Sequence, residues 1–280
     1  MLECVVNVSE GRRADIVAAL SAAAGPCLLD VHRDAGHNRS VLTLAGPADL
    51  VTEGVRSLAA ATVARLDLAT HQGAHPRIGV LDVVPWVPFA GWPLVPGPLA
   101  SAVAAQDDFS RWAARWLALP CFLYGPQRSL PEVRRQAWHA LVPDHGPRRP
   151  HPTAGATAVG ARPALVAYNL WLVDPDPARA RSIATRLRRP SVRALGLAVG
   201  DQVQVSCNLI EPSSFGPAAA FDAVASQAGV ARAELVGLLP ASVLGAVAEH
   251  RWPELDLGRS RTIEARLEQA GLDGGSRTER

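Results

Sequence analysis

The 280 residues are enough for one large domain or two small ones with a sizeable core. A hydrophobic content of 48% with only 19% charged residues excludes a disordered chain, and a formal net charge of +2 gives no basis for nucleic-acid binding. All 28 Lys-plus-Arg positions are Arg, which excludes a Schiff-base lysine and a P-loop and favours fork-shaped recognition of carboxylates.

In chain order, residues 2–8 read as a buried strand and 13–24 as a helix, with Ile16, Val17 and Leu20 at helical spacing. Gly25-Pro26 breaks the chain before a strand at 27–31, a polar turn at 32–38 and an alternating strand at 40–45. Pro47 opens a helix over 50–66, and 70–77 is too rich in Gly, His and Pro to be helical. A buried strand over 78–87 is expected to break at Pro85. A helix (99–117), a strand (121–124) and a short helix (131–140) precede residues 142–163, whose Pro, Gly and His mark a linker or a binding loop.

The pattern then restarts: strand 164–173, helix 177–187, strands 192–199 and 203–210 about a Gly200-Asp201 break, helix 217–227, strand 235–239 and helix 241–249. Both halves read β-α-β-β-α-β, so the expected fold class is α/β (α+β). It consists of two ferredoxin-like α/β sandwich subdomains packed sheet to sheet with a ligand cleft between them. The boundaries are placed at 1–161, 162–255 and a charged tail at 256–280, a frayed helix followed by disorder. Cys4, Cys27, Cys121 and Cys207 lie scattered in apolar stretches and read as reduced core thiols. No targeting pattern or bilayer-length apolar run is present, which predicts a cytoplasmic protein with no membrane partner. Exposed sheet edges would suit a homodimer.

Three polar clusters could carry chemistry. The densest is His71-Gln72-Gly73-Ala74-His75-Pro76-Arg77-Ile78-Gly79 with Asp82. A zinc pair at His71 and His75 would need a helix, which Gly73 and Pro76 oppose, so acid–base work by a loop imidazole fits better. An ordinary loop histidine satisfying backbone groups remains the alternative. The second cluster is Asp30, His32, Asp34, His37, Asn38 and Arg39, which could equally be a solvated turn. The third runs from Pro143-Asp144-His145-Gly146-Pro147 to Gly155-Ala156-Thr157 and Gly160-Ala161-Arg162, where glycines would let backbone approach a flat ligand, or serve a linker. Trp112, Trp116 and Trp138 sit in helical patterns and read as core, whereas Trp86 and Trp171 on strands could stack on a heterocycle.

These motifs, in this order, resemble the glutamate formiminotransferase family. Glu3-Cys4-Val5 with Asn7, Ser9-Glu10-Gly11, Leu28-Leu29-Asp30-Val31 and Asn38-Arg39-Ser40-Val41 match its N-terminal part, and His71 to Pro85 resembles H-x-G-E-H-P-R-x-G-x-x-D-V-x-P. Phe122-Leu123-Tyr124-Gly125, the third cluster, Ala167-Tyr168-Asn169, Gln204-Val205-Ser206 with Asn208-Leu209, and Glu234-Leu235-Val236-Gly237-Leu238 continue it over all but about the last thirty residues.

The resemblance implies two subdomains around a tunnel for tetrahydrofolate, a co-substrate rather than a resident cofactor, with no metal. It implies transfer of a formimino group from N-formimino-L-glutamate to N5 of tetrahydrofolate in histidine degradation, with His75 as the general base. An unperturbed imidazole would place the acid limb of kcat/KM near ~6.5. The implied substrate- and folate-binding residues are Asn7, Asn38, Arg39, Arg77, Gly79, Asp82, Gly146, Pro147, Gly155, Ala156, Gly160, Arg162, Gln204, Ser206 and Asn208, with Arg39, Arg77 and Arg162 as carboxylate clamps. This chain departs from the family in having Ala74 for Glu and His32 for a frequent Asp, and a single-activity protein without a cyclodeaminase half is expected. Two alternatives follow: a non-catalytic or altered-substrate folate-binding protein, and a metal-dependent hydrolase using His71, His75 and His32.

Overall fold

The computed structural model describes residues 1–273, which fall into two compact units. The first comprises residues 1–163 together with the segment from 267 onward, and the second residues 164–266. The disorder expected at the end of the chain falls on residues 274–280, outside the described residues. The rest of the expected tail is ordered structure: α8 covers Ile263–Ala270, with Ile263 and Leu267 buried.

In the first unit the elements are β1 (Leu2–Val8), α1 (Ala14–Ala24), β2 (Leu28–Asp34), β3 (Arg39–Gly46), α2 (Ala48–Arg65), β4 (Leu81–Ala90), β5 (Val95–Pro96), α3 (Leu99–Trp116), β6 (Cys121–Tyr124), α4 (Leu130–Gln136) and β7 (Thr157–Ala161). Strand order is β2-β3-β1-β4-β7-β6, with β5 paired to the end of β4. Side chains alternate across the strands, so each face selects its own partners. Cys4, Val6, Leu42, Leu44, Val84, Trp86 and Val159 meet α1, α2 and α3 on one face. On the other face Val83, Phe122, Tyr124 and Ala158 meet Val133 and Ala137 of the short α4 region.

Three sequence expectations change here. Pro85 does not break its strand: β4 runs through it, because the register to β1 pairs Cys4 with Trp86 and Asn7 with Val83 and leaves Val84 and Pro85 out of that ladder. The missing N–H therefore costs no bond to β1. Residues 142–163 are not a linker: β7 lies inside them and is inserted between β4 and β6, parallel to both. Its Thr-Ala-Val-Gly-Ala sequence is a weak strand signal, and the small residue is required. A Cβ on Gly160 would lie 2.2 Å from a ring carbon of Tyr124. Finally, α4 stops at Gln136, after which Trp138 takes φ 69° and turns the chain.

The second unit runs β8 (Val166–Leu172), α5 (Pro177–Leu187), β9 (Val192–Val199), β10 (Gln202–Leu209), α6 (Pro217–Ala225), β11 (Val230–Val236) and α7 (Ala241–Gly245), with strand order β11-β8-β10-β9, all neighbours antiparallel. Tyr168, Leu170, Val203, Val205 and Cys207 face Ile183, Leu187 and Val224 of the helices. β11 begins five residues before the expected strand, because Arg232 and Glu234 sit on its helix-free face while Ala233 and Leu235 alternate into the core. All four cysteines are buried and free; burial raises the thiols of Cys27 to about 11 and Cys207 to about 12. Among the described residues no helix is long and apolar enough to cross a membrane.

Candidate active site

The site is built from a β-bulge outward. Asn7 of β1 pairs with Val83 and Val8 with Leu81, so Asp82 is the extra residue on β4. Such a bulge re-aims one side chain without ending the strand. The Asp82 carboxylate is fully buried and accepts hydrogen bonds from Arg39 (2.6 Å), from Arg134 (2.7 and 3.3 Å) and from the backbone N–H of Ile78 (2.9 Å). Burial by itself would raise the Asp82 pKa, but Arg39 and Arg134 overcome that and hold it at about 2. Asn7 Oδ1 accepts from Nε and Nη2 of Arg39 (3.2 and 2.9 Å), which fixes the plane of that guanidinium.

The loop between α2 and β4 is tied down on three sides. Asn38, in the left-handed region at φ 48°, accepts from Gly11 N–H through Oδ1 and donates to the Gln72 carbonyl through Nδ2, both at 2.9 Å. Both ends of its amide are therefore committed to holding the loop. Arg77 donates to His71 Nδ1 (2.7 Å) and to the carbonyls of Gly73 (2.7 Å) and His75 (2.6 Å). Because Arg can only donate, His71 Nδ1 is the acceptor and its Nε2–H donates to the Asn38 carbonyl at 2.9 Å. Burial and the nearby Arg77 lower the His71 pKa. A third tie is close backbone packing. A Cβ on Gly79 would lie 1.9 Å from the Ala156 carbonyl, and one on Gly155, at φ +72°, 2.5 Å from that of Ile78.

His75 is half-buried at the turn of this loop. Its Nδ1 lies 2.8 Å from the Pro76 carbonyl, which cannot donate, so Nδ1 carries the proton and Nε2 keeps its lone pair. The His37 ring meets it edge-on, with centroids 6.2 Å apart. Burial first, then the cations Arg39 and Arg134, push its pKa from 6.5 down to about 3, against opposing contributions from the Pro76 carbonyl and Asp82. The free protein thus holds a neutral imidazole throughout the physiological range, and the value near ~6.5 expected of an unperturbed ring does not apply. The charges that act on the ring are the guanidinium groups of Arg39 and Arg134 and the carboxylate of Asp82.

The structure brings Asn7, Asn38, Arg39, His75, Arg77, Gly79, Asp82, Gly155 and Ala156 into this one network. It gives several of the other candidates different surroundings. Gly146, at φ +91°, packs against Leu119 and Pro120 next to Pro147, where the 143–147 segment bonds along β6. Gly160 lies under Tyr124, and Arg162 bonds through its N–H to Trp86 and through Nη1 to the Pro163 carbonyl. The glycines at 146, 155 and 160 therefore make room for the protein's own chain. Gln204, Ser206 and Asn208 belong to the second unit, on the helix-free face of β10, where Ser206 pairs with Asn169 and Gln204 with Trp171. Trp86 is core, fully buried with Phe109 at 6.1 Å, and Trp116 is 65% exposed with the Arg115 guanidinium over its ring, so neither fills its expected role.

Sequence reasoning missed Arg134. It sits on a short helix beside Arg135, and nothing in Pro131-Glu132-Val133-Arg134-Arg135 distinguishes the two. The only clue was the helical offset from Val133, which packs inward. Among the described residues no group of three or more His, Cys, Asp and Glu is placed to hold a metal ion.

Residues 1–162 match the family model of the formiminotransferase domain, N-terminal subdomain. The chain is 32% identical to the glutamate formimidoyltransferase of Streptococcus pyogenes serotype M1 over 89% of its own length and 92% of that protein's. It is 28% identical to a glutamate formimidoyltransferase of Thermoplasma acidophilum over 96% and 98% of the two lengths. It is also 32% identical to the formimidoyltransferase-cyclodeaminase of Sus scrofa over 87% of its own length, where it spans 51% of the longer protein. Two mixed α/β units with these likenesses define the class, a group-transfer enzyme. The chain belongs to the formiminotransferase family.

Proposed function

We propose that this transferase moves the formimino group of N-formimino-L-glutamate to N5 of tetrahydrofolate, with His75 as general base. One observation carries the reading: a neutral imidazole whose Nδ1–H is bonded to Pro76, leaving Nε2 as an acceptor, among guanidinium groups anchored on Asp82. In the reaction, N5 forms a bond to the amidine carbon and the bond from that carbon to the glutamate nitrogen breaks. The proton leaving N5 passes to Nε2 and is returned to the departing amine, so one group serves both steps.

The low basicity of His75 in the free protein has a physical remedy. Burial is the largest cause of that low value; both ligands carry carboxylates, and an anion placed near Arg39 and Arg134 offsets the part that their charge contributes. Binding itself thereby raises the affinity of Nε2 for a proton. Arg39, Arg77 and Arg162 remain the candidate carboxylate partners. Gln204, Ser206 and Asn208, on the second unit's sheet, remain candidates for folate contact.

Purified protein given tetrahydrofolate and N-formimino-L-glutamate should produce a folate that cyclises on acid treatment, followed by absorbance. His75→Ala should lower kcat by roughly 10²–10⁴; a loss below about tenfold would leave His75 without the base role. The acid limb of kcat/KM, which reports the free enzyme, should lie near the low value of about 3, and that of kcat should lie above it. Coincident limbs would remove the charge-offset argument. Tetrahydrofolate binding without turnover would favour the altered-substrate reading motivated by Ala74.

A further inference from the structure

Arg134 is the one member of the site network with no place in the motifs, and its geometry is specific. Its guanidinium grips Asp82 with Nη2 on Oδ2 at 2.7 Å and Nη1 on Oδ1 at 3.3 Å, and the same Nη1 donates to the Pro76 carbonyl at 2.7 Å. That carbonyl is also the acceptor for His75 Nδ1. A fork of this kind on a buried carboxylate is a rigid mount, because both its N–H directions and its plane are set by the partner. Asp82 is itself fixed by Arg39 and by Ile78 N–H. A chain of short contacts therefore runs from the sheet bulge through α4 to the imidazole.

We propose that Arg134 is a positioning residue for His75, holding the Pro76 carbonyl where it selects the Nδ1–H tautomer and aims Nε2 outward. The proposal extends the catalytic reading of His75, yet its central claim is about geometry and can be tested without substrate. Arg77 ties this loop through the carbonyls of Gly73 and His75, and Arg134 is the side chain that reaches the Pro76 carbonyl itself. Without Arg134 the Pro76 carbonyl would lose its guanidinium donor, and the bond it accepts from His75 Nδ1 would lose that support. The charged and titratable groups facing the ring are Arg39 of β3, Asp82 of β4, Arg134 of α4, His37 of the β2–β3 turn and Arg77 of its own loop. Removing Arg134 takes away one cation and leaves Asp82 with a single guanidinium, which raises the His75 pKa, whereas loss of the Pro76 acceptor lowers it.

The test uses Arg134→Ala and Arg134→Lys beside the full wild-type chain. Long-range proton–nitrogen NMR spectra of 15N-histidine protein, with His75→Gln to assign the ring, read tautomer and titration directly. The wild type should show the Nδ1–H form, Arg134→Ala a mixture of tautomers, and Arg134→Lys the wild-type charge effect with a loosened tautomer. An Nε2–H ring in the wild type, or a ring unchanged in Arg134→Ala, would overturn the proposal whatever the activity. In the formimino-transfer assay, Arg134→Ala should lower kcat by about 10- to 100-fold with a smaller change in KM, as expected of a misplaced base. Loss of kcat with a native ring spectrum would assign Arg134 to substrate contact instead. A wild type without turnover but with the Nδ1–H ring would remove the catalytic reading and leave the positioning role in place. Should Arg134→Ala fail to fold, Arg134→Lys carries the same spectroscopic comparison.

Discussion

Asp82 in the first unit and Glu234 in the second are strand carboxylates on faces that look away from most of the helices, and the two are used differently. Asp82 sits at a bulge, wholly buried, with two guanidinium groups and a loop N–H on its oxygens. Glu234 sits in an unbroken stretch of ladder opposite Asn169 and accepts from Asn169 Nδ2 (3.0 Å) and Trp171 Nε1 (2.9 Å), while Arg232 lies over the Trp171 ring at 4.2 Å. The second arrangement ties neighbouring strands together with mostly neutral donors. The first exports the sheet's rigidity into a loop, because the bulge points the carboxylate at residues beyond the strand. The difference lies in backbone register: both acids are on strands, and only one is freed from the ladder.

Removing each acid measures the contrast. Asp82→Ala leaves Arg39 and Arg134 without their buried partner and should cost about 3–5 kcal/mol in denaturant unfolding, along with most of the activity. A loss under about 1 kcal/mol would mean that water or Asn7 replaces the carboxylate and that the mount is not rigid. Acidification probes the same pair more gently. Folding lowers the Asp82 carboxyl from 3.8 to about 2, so the unfolded chain takes up the proton first as pH falls. Its contribution, about 2 kcal/mol, is complete above about pH 4 and lost as pH approaches about 2, and Asp82→Asn should flatten that part of the stability curve. The smallest effect belongs to Glu234→Gln, which keeps an acceptor for Asn169 and Trp171 and should cost about 1 kcal/mol. If that change cost as much as Asp82→Ala, the two carboxylates would be equivalent and the argument from register would fail.

Much of the site was legible residue by residue. Gly73 and Pro76 forbade a helix and placed His75 on a loop, and the loop's close approach to residues 154–156 is visible in the glycines that permit it. What could not be read was partnership. Arg39 and Arg77 look like free clamps in sequence, yet Arg39 donates to Asp82 and Asn7, and Arg77 to His71 and two carbonyls of its own loop. Asn38 looks like a ligand contact and is a brace between Gly11 and Gln72. β7 was hidden because Ala158, Gly160 and Ala161 dilute the strand signal of Thr157 and Val159, and its place between β4 and β6 comes from neighbours distant in the chain.

By itself the sequence determined most of the helices and strands but not β7, together with the repeated β-α-β-β-α-β pattern, the non-helical His loop and the family resemblance, because each depends on local periodicity, breakers or motif spacing. The tertiary structure alone decided that Asp82 is a bulge residue, that Arg134 joins it from α4, and that His75 is held neutral with Nδ1 on Pro76. Those outcomes depend on burial and on charges brought together from β3, β4 and α4, and electrostatic energy follows distance in space, which spacing along the chain does not encode.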